Sequence, residues 1–314
     1  MKYTFLLPAY KAAYLDEALQ SILAQTYTDF NVVISNDCSP QDLDSIVERY
    51  LDDSRVSYRC NEENMGKNSL VSHWNLLLSL CESEYFILAS DDDVYSPRFL
   101  EEIDCLVNEY PKVELFHARA QCINESGEVF KEDALYKEYV SQIEYFEQLD
   151  FYNHIECIAN YVFHTQSLKL KGGFVDFPLA WSSDTATCNI MAEKGAVNTA
   201  EVLFSFRMSG LNISSQPVED KKVSRQKYKA FCMYDKFMCD LLESIKPNND
   251  LLSQTIYTNV CAGHKKRMAG LIAWMSVSLS LKEFCNYIRT YKKKGYIDSS
   301  FITIKRWFFT RIKA

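Results

Sequence analysis

The strongest constraint on the fold is the regular alternation of apolar and amphipathic segments in the first 120 residues. Short apolar runs between turn residues are typical of strands, and apolar residues at intervals of three and four are typical of helices. The predicted strands are Thr4–Leu7, Phe30–Ser35, Val56–Arg59, Tyr85–Ala89 and Val113–Ala118, and the predicted helices are Tyr14–Gln25, Leu43–Tyr50, Ser69–Leu80 and Pro97–Glu109. This alternation predicts an α/β fold with a doubly wound, mainly parallel sheet flanked by helices.

The second half of the chain has a less regular pattern. The stretch from Lys131 to about Asn160 is aromatic and has no clean period. A helix over Ser183–Lys194 and two short strands, Ala196–Thr199 and Val202–Met208, are predicted after it. Beyond about Gln216 the pattern is helical. We therefore expect one domain over residues 1–215 and a helical C-terminal region over residues 216–314.

The composition narrows the class of protein. Hydrophobic residues make up 47% and charged residues 24% of the 314 residues, as in ordinary globular proteins. No uncharged apolar run reaches the roughly 18 residues of a membrane span, and the apolar N-terminal segment is too short for a signal peptide. The eleven cysteines form no Cys-x-x-Cys pair, which predicts reduced thiols and a cytoplasmic location.

The end of the chain is basic although the whole chain is acidic. Residues 282–314 hold nine Lys or Arg and two acids, a net charge of +7, whereas the whole chain carries −8. Trp307, Phe308 and Phe309 lie in this tail. The tail predicts either peripheral contact with an anionic membrane at the inner face of the cell membrane, or an ordinary helix that packs its aromatic residues on the domain.

Polar segments follow four of the predicted strands, and parallel sheets bind ligands at that edge. They are Pro8–Tyr10, Asn36–Asp37, Asn61–Gly66 and Asp91–Asp93. Clustered carboxylates at a strand end can hold Mg²⁺ or Mn²⁺ together with phosphate oxygens, so the sequence favours an enzyme that handles a diphosphate. The alternative for Asp91–Asp93 alone is a solvated acidic turn.

Several common motifs are missing from the sequence. No G-x-G-x-x-G follows the first strand, so a nicotinamide or flavin enzyme is not expected. Gly66-Lys67-Asn68-Ser69 is not a phosphate loop, because Asn61 stands where that motif requires its first glycine. Neither G-x-S-x-G nor H-E-x-x-H occurs, and no nucleic-acid partner is expected.

Six segments resemble, in order, the motifs of family 2 glycosyltransferases of the GT-A fold, the type that commonly builds bacterial surface polysaccharides. They are Leu7–Lys11, Val32–Ser39, Asn64–Gly66 with Asn75, Leu88–Asp93 with Pro97, Gly172–Phe174 with Asp184, and Arg207–Ser214. Together they extend over about two-thirds of the chain. Each match is weak alone, and the order and spacing of all six carry the resemblance.

The resemblance implies a nucleoside-diphosphate sugar as donor, uridine-linked, with Mn²⁺ or Mg²⁺. Its donor-binding positions correspond to Pro8, Ala9, Tyr10, Asp37, Asn64, Gly66, Asp91, Asp92 and Arg207. Asp37 would accept a hydrogen bond from the uracil N3 position, and Asp93 with Asp91 would hold the metal. Turn formation by Asp37, a buried core position for Tyr10 and a surface ion pair for Arg207 are the alternatives that the residues leave open.

Asp184 corresponds to the catalytic acid of the family, and Gly173, Phe174 and Trp181 to its acceptor side. Asp184 stands at a helix start, where the helix dipole favours the ionised form that a general base needs. A single base and an in-line displacement imply inversion at the anomeric carbon. The alternatives are a favourable first-turn charge for Asp184 and core packing for Phe174. The implied acceptor is a glycan or a lipid-linked glycan.

Four positions depart from the family pattern. Asn36 replaces an Asp, Cys38 a Gly, Ser183 a Glu and Ser209 a His. These departures leave open an inactive sugar- or nucleotide-binding protein. A sugar nucleotidyltransferase is the other alternative, although the glycine-rich loop that it needs after the first strand is absent from Pro8–Lys11.

Overall fold

A ten-stranded mixed sheet organises the first of the two units into which the chain divides. The computed structural model describes residues 1–151, 154–155, 157–210, 221–247, 251–275 and 280–293. The first unit contains Met1–Gln148, Tyr152–Asp176 and Ser183–Ser209. Leu149–Phe151, Phe177–Ser182 and the chain from Gly210 onward form the second. The predicted boundary between residues 215 and 216 lies outside the described residues.

Four parallel strands form one half of the sheet. The strands of the chain are Tyr3–Ala9 (β1), Phe30–Asn36 (β2), Val56–Cys60 (β3), Tyr85–Leu88 (β4), Val94–Tyr95 (β5), Leu115–Ile123 (β6), Val129–Glu132 (β7), Tyr139–Val140 (β8), Tyr161–His164 (β9) and Ala196–Arg207 (β10). They lie in the order β3-β2-β1-β4-β9-β6-β10-β5, with β7 on β6 and β8 on β10. The pairs among β1 to β4 are all parallel, as the alternating pattern predicts.

The other half of the sheet mixes directions. Strand β9 is antiparallel to both β4 and β6, and β10 is parallel to β6 but antiparallel to β5 and β8. The two strands predicted near Ala196 and Val202 are one strand, β10, because a register shift between Asn198 and Val202 lets its pairing with β6 continue. The sequence pattern missed β9, which lies at the end of the aromatic stretch.

Helices connect many of the strands along the chain. In the first unit they are Leu15–Leu23 (α1), Asp44–Val47 (α2), Leu70–Leu80 (α3), Phe99–Glu109 (α4), Gln142–Phe151 (α5), Thr165–Leu170 (α6) and Ser183–Met191 (α7), with α5 ending in the second unit. Helix α1 buries Leu15, Ala18, Leu19 and Ile22, the spacing of a single helix face. Ser69 begins α3 by accepting the amide of Ser72 at 3.1 Å.

The second unit is helical, as predicted. Its long helices are Lys221–Ser244 (α8), Leu251–Met275 (α9) and Leu281–Lys293 (α10). The rings of Phe177 and Trp181 pack edge-on against Tyr234 and Phe231 of α8. Among the described helices, none combines the length and hydropathy of a membrane span. All eleven cysteines are described and free, as the sequence predicts.

Candidate functional site

The carboxyl ends of β1, β2, β3 and β4 lie side by side because backbone hydrogen bonds continue past the strands. The amide of Asp37 donates to Ala9 O at 2.9 Å, and the amide of Asn61 donates to Asn36 O at 2.8 Å. Leu6 pairs with Leu88, so this register continued by three residues places Asp91 level with Ala9. The four polar segments predicted from the sequence therefore lie at the ends of neighbouring strands, at one edge of the sheet.

Asp37 is buried and ties two loops together. Its Oδ1 accepts hydrogen bonds from the side-chain amide of Asn61 at 2.8 Å and from the Met65 amide at 2.9 Å, and its Oδ2 accepts the Gly66 amide at 2.8 Å. A Cβ atom at position 66 would lie 2.9 Å from Asp37 Oδ2. Gly66 is thus the residue that lets the loop backbone reach this carboxylate. Asn64 stabilises the same loop by accepting the Lys67 amide at 2.7 Å.

Asn36 and Cys38, two of the residues that depart from the family pattern, lie at the end of β2 and in the turn after it. The Asn36 side-chain oxygen accepts the Ser39 amide at 2.8 Å. Cys38 has φ of 52°, in the left-handed region that glycine enters easily, so the residue type that the resemblance expects suits this backbone. The Ser39 hydroxyl donates to Tyr10 O at 2.6 Å, and the Tyr10 side chain is exposed beside β1. Ala9 is buried and Pro8 half-buried.

The acidic run after β4 is buried and partly neutralised by Lys11. Asp91 Oδ2 accepts the amides of Tyr10 at 2.8 Å and Lys11 at 2.7 Å. The Lys11 ammonium lies 3.1 Å from Asp91 Oδ1 and also contacts Asp92. Burial lowers the pKa of Lys11, but the charges of Asp91 and Asp92 outweigh it and raise the pKa. Asp91 therefore fixes the turn after β1.

Asp93 is the most buried of the three acids, at 1% exposed. Its Oδ1 accepts the Arg207 amide at 2.9 Å, and its Oδ2 has the Cys157 thiol at 3.8 Å. Burial, and then the neighbouring charge of Asp92, raises the pKa of Asp93 well above its usual range. A nearby cation would stabilise the ionised form of Asp93, which burial and Asp92 disfavour. Carboxylate oxygens are the ligands that Mg²⁺ and Mn²⁺ prefer. Asp93 and Asp91 therefore fit a hard divalent ion.

Arg207 is buried and holds the backbone around the acidic run. Its guanidinium donates to Asp92 O at 2.9 Å and to Asn124 O and Glu125 O at 3.3 Å. It also lies 2.6 Å from Glu17 Oε2. The sequence offered a diphosphate contact or a surface ion pair for Arg207. The Arg207 side chain is buried among these four groups and its ion pair is with Glu17, so it does not lie on the surface.

Asp184 is the second residue of α7 and is half-buried. Its Oδ1 accepts the Thr185 amide at 2.7 Å. Burial raises the pKa of the Cys157 thiol, and the negative charges of Asp93 and Asp184 raise it further. Asp93 Oδ2 lies 3.8 Å from this half-buried thiol, and Asp184 affects it through its charge, although the two acids are 91 positions apart in the sequence.

The Gly173–Phe174 segment is clamped by Asn75 of α3. Asn75 accepts the Phe174 amide at 2.9 Å and donates to Phe174 O at 3.4 Å. A Cβ atom at Gly173, where φ is 86°, would lie 2.4 Å from Asn75 Oδ1. The Phe174 ring is buried against Trp74, Phe86 and Phe163, which favours the core-packing alternative for this side chain.

Trp181, the third predicted acceptor residue, belongs to the second unit. Its ring lies 3.9 Å from the ammonium of Lys227, a cation–π contact, and its edge meets Phe231. Lys227 is buried, and burial lowers its pKa. Three residues around Trp181 have positive φ without being glycine, namely Leu179, Ala180 and Ser182.

Sequence reasoning gave no role to Lys11, His73 or Cys157. Lys11 directly follows Tyr10 in the turn after β1. The three acids predicted at the same sheet edge could have suggested that this lysine neutralises them. His73 lies on α3, with Nε2 2.9 Å from Ser35 Oγ and Nδ1 3.7 Å from Asp37 Oδ1. Neither His73 nor Cys157 belongs to a local pattern, so only the tertiary structure brings them to the acids.

Comparison with known proteins gives one family and several relatives. The model of the family described as "Glycosyl transferase family 2" matches residues 4–169, more than half of the chain. An uncharacterized glycosyltransferase of Haemophilus influenzae is 22% identical over 315 residues, which covers 91% of this chain and 94% of that protein. One of Rickettsia conorii is 30% identical over 128 residues, 40% of this chain and 20% of that protein. The chain matches only 20% to 29% of the length of the first three curated relatives.

Solved structures share the fold at low sequence identity. Staphylococcus aureus TarS 1-349 in complex with UDP-GlcNAc has a TM-score of 0.60 at 17% identity, covering 96% of this chain and 90% of that one. The mannosyltransferase PcManGT from Pyrobaculum calidifontis, in complex with GDP-Man and Mn²⁺, has a TM-score of 0.54 at 15% identity, covering 99% and 86%. The predicted α/β fold of the GT-A type is confirmed by these similarities.

Proposed function

Because this chain belongs to glycosyl transferase family 2, we propose that it is an inverting glycosyltransferase that uses a uridine-diphosphate sugar. One observation carries the proposal. Buried acids at the ends of β2 and β4 lie beside the turn that follows β1, and the charges of Asp93 and of a further acid, Asp184, both raise the pKa of the Cys157 thiol. The solved TarS structure contains UDP-GlcNAc, which supports this choice of donor.

The donor would bind at the edge formed by β1, β2 and β4. Tyr10 offers an exposed ring to the base, and Asp37 and Asn64 hold the loop that carries Gly66. Asp93 would be the main ligand of Mn²⁺ or Mg²⁺, because the oxygens of Asp91 already accept two backbone amides and contact Lys11. When bound, the ion neutralises the charge that grows on the leaving diphosphate. The Mn²⁺ in the PcManGT structure supports a divalent ion.

Asp184 would act as the general base on the acceptor hydroxyl. The carboxylate accepts the Thr185 amide at the start of α7, where the helix dipole stabilises the charged form. It would take the proton as the hydroxyl oxygen attacks the anomeric carbon from the side opposite the diphosphate. A single displacement of this kind inverts the configuration.

The acceptor and the setting extend the same proposal. A glycan or lipid-linked glycan would be the acceptor, and the relative TarS, named a poly(ribitol-phosphate) beta-N-acetylglucosaminyltransferase, supports a polymeric acceptor. Residues 1–215 would bind the donor and catalyse transfer, and residues 216–314 would form a helical region with the basic tail. Gly173 would lie on the acceptor side. The reaction would take place in the cytoplasm, at the inner face of the membrane.

The metal role is tested by replacing Asp93 with asparagine, which keeps an oxygen for the Arg207 amide. We expect Asp93→Asn to weaken UDP binding in Mn²⁺ by about tenfold or more, roughly 1.4 kcal/mol, with little change in EDTA. Calorimetry measures the affinity for UDP in Mn²⁺ and in EDTA. The same titration with GDP tests the preference for uracil over guanine. Asp52→Asn, at an exposed turn, is the control. If Asp93→Asn keeps the full Mn²⁺ dependence, Asp93 is not the metal ligand.

The role of the base is tested by Asp184→Asn. We expect donor affinity to stay within about twofold while transfer and donor hydrolysis fall by about a hundredfold or more, the usual contribution of a general base. Release of UDP from a panel of UDP-sugars gives the rate, and calorimetry gives the affinity. Turnover at the level of wild type or of Asp52→Asn would exclude Asp184 as the base.

A further inference from the structure

Two histidines and an aspartate meet in the interior of the first unit, and none of them belongs to the proposed active site. They are His117 on β6, Asp133 just after β7, and His154 shortly before β9. His117 Nε2 lies 3.9 Å and His154 Nδ1 3.8 Å from the same oxygen, Asp133 Oδ2. The three ligand atoms are within 4.8 Å of one another. Side-chain exposure is 0% for His117 and Asp133 and 2% for His154.

The two oxygens of Asp133 differ in their hydrogen bonds. Oδ1 accepts hydrogen bonds from the Tyr136 hydroxyl at 2.6 Å, the Ala134 amide at 3.0 Å and the Ile155 amide at 3.3 Å. Oδ2 is buried and has no hydrogen-bond partner among the described residues. Buried polar atoms nearly always have partners, so an unpartnered carboxylate oxygen between two imidazoles indicates a ligand.

The imidazole of His117 has the tautomer that metal binding requires. Its Nδ1 lies 3.0 Å from Asn198 Oδ1, and the orientation of that amide is fixed because Asn198 Nδ2 donates to Lys137 O at 2.7 Å. An amide oxygen only accepts, so His117 Nδ1 carries the proton and Nε2 carries the lone pair. Histidines that bind metals commonly donate their other ring nitrogen to a protein oxygen in this way.

The second histidine can adopt the equivalent state. His154 Nε2 lies 3.0 Å from the Tyr161 hydroxyl, which can accept a hydrogen bond as well as donate one. At present the Tyr136 hydroxyl gives its one proton to Asp133, so His154 Nδ1 donates to the Tyr136 oxygen. Binding of a cation would place the ring proton on Nε2, facing Tyr161, and leave the lone pair on Nδ1 on the side of Asp133. Bonds to a cation would replace two contacts of the ring nitrogens. One is between His117 Nε2 and Asn160 Nδ2 at 3.0 Å, and the other is between His154 Nδ1 and the Tyr136 hydroxyl at 3.1 Å.

We propose that His117, Asp133 and His154 form a structural site for a borderline divalent cation, Zn²⁺ by preference. Two imidazoles and one carboxylate are ligands for Zn²⁺, Co²⁺ or Fe²⁺, whereas Mg²⁺ prefers oxygen alone. The site is therefore chemically distinct from the acidic run. Because all three ligands are buried, the ion would not contact substrate. It would connect β6, the segment after β7 and the segment before β9.

Metal retention by the whole chain, without an affinity tag, tests the proposal. After loading with Zn²⁺ or with Co²⁺, gel filtration and metal analysis should find one equivalent per chain, and Co²⁺ should give the visible absorption of a site with nitrogen ligands. His154→Gln and Asp133→Asn should weaken the affinity by more than about 100-fold. Asp93→Asn should keep the ion, and so should His164→Gln, a control histidine beside Ser167.

Two results would overturn the proposal. One is wild-type protein that retains no Zn²⁺ or Co²⁺ after gel filtration. The other is retention that disappears in Asp93→Asn and persists in His154→Gln. If the cluster variants fail to fold, X-ray absorption of the Zn²⁺-loaded wild type decides the question, because two imidazole ligands support the site and oxygen ligands alone refute it.

Discussion

At the scale of single residues, the acids of the candidate site mainly hold backbone in place. Asp37 accepts three hydrogen bonds from the loop after β3, and a carboxylate has about four positions for hydrogen-bond donors. These bonds occupy three of those positions. The turn bond to the Ser39 amide is made by Asn36 and not by Asp37, and the donor contact of Asp37 stays a prediction from the resemblance.

The buried side chain of His73 makes the stability of the fold depend on pH. Burial lowers the pKa of His73 from its ordinary value of 6.5, and the charge of Asp37 opposes this only in part. The folded state therefore disfavours the proton that the unfolded chain takes up below about pH 6.5. The stability that the neutral form provides is present above pH 6.5 and is lost as the pH falls towards the folded-state pKa.

We expect His73→Gln to flatten this dependence. Urea unfolding at pH 7.5 and pH 5.5 should show a smaller loss of stability in the variant than in wild type, because glutamine does not titrate. His164→Gln, at a half-buried position, serves as the control. An equal loss in wild type and His73→Gln would mean that other groups cause the acid sensitivity.

At the scale of elements, the sequence predicted the parallel half of the sheet and missed much of the other half. Strands β1, β2 and β4 are mostly apolar segments between turn signals, so their pattern is visible locally. Strand β9 has only four residues, Tyr161–His164, within an aromatic stretch. Its position between β4 and β6 depends on long-range pairing that no local period encodes.

The candidate site shows the same division. The acids at strand ends could be predicted because the chain topology brings those ends to one edge. The buried position of Arg207 could not, since it depends on carbonyl groups of residues 92, 124 and 125. Phe174 was ambiguous from the sequence for the same reason, because only the fold brings the rings of Trp74 and Phe163 to it.

The contact between α3 and the Gly172–Gly173 turn allows a matched test of packing. Both glycines have positive φ, 92° and 86°, so alanine is strained at either position. At Gly172 a Cβ atom would meet nothing within 4 Å, whereas at Gly173 it would lie 2.4 Å from Asn75 Oδ1. The two substitutions therefore differ by the clash with Asn75.

We expect Gly172→Ala to cost about 1 kcal/mol of stability and Gly173→Ala roughly 1–3 kcal/mol more, because the Asn75 clamp on Phe174 must also break. Urea unfolding of each variant gives the difference. In the background of Asn75→Ala the two glycine substitutions should cost nearly the same. Equal costs in the wild-type background would show that the clamp adds nothing.

At the scale of the whole molecule, charge is distributed unevenly along the chain. Residues 282–314 carry +7, so the remaining residues carry −15. Most of this basic segment, from residue 294 onward, lies outside the described residues. The two alternatives for the tail, membrane contact and packing on the protein, both remain predictions from the sequence.

Deleting residues 301–314 should separate these alternatives. If the tail contacts an anionic surface, the deletion should lower co-sedimentation with phosphatidylserine vesicles, and more so at low salt, because charge attraction is screened. Neutral vesicles are the control. Unchanged sedimentation together with a lower melting temperature would assign the tail to packing.

The fit of Gly66 against Asp37 also has an evolutionary consequence. With only 2.9 Å between a Cβ at position 66 and the Asp37 oxygen, a side chain at position 66 would displace the carboxylate, whereas a smaller residue at position 37 leaves glycine in place. Among descendants of this chain, loss of the acid should therefore precede any side chain at position 66, and selection should keep glycine wherever the aspartate persists.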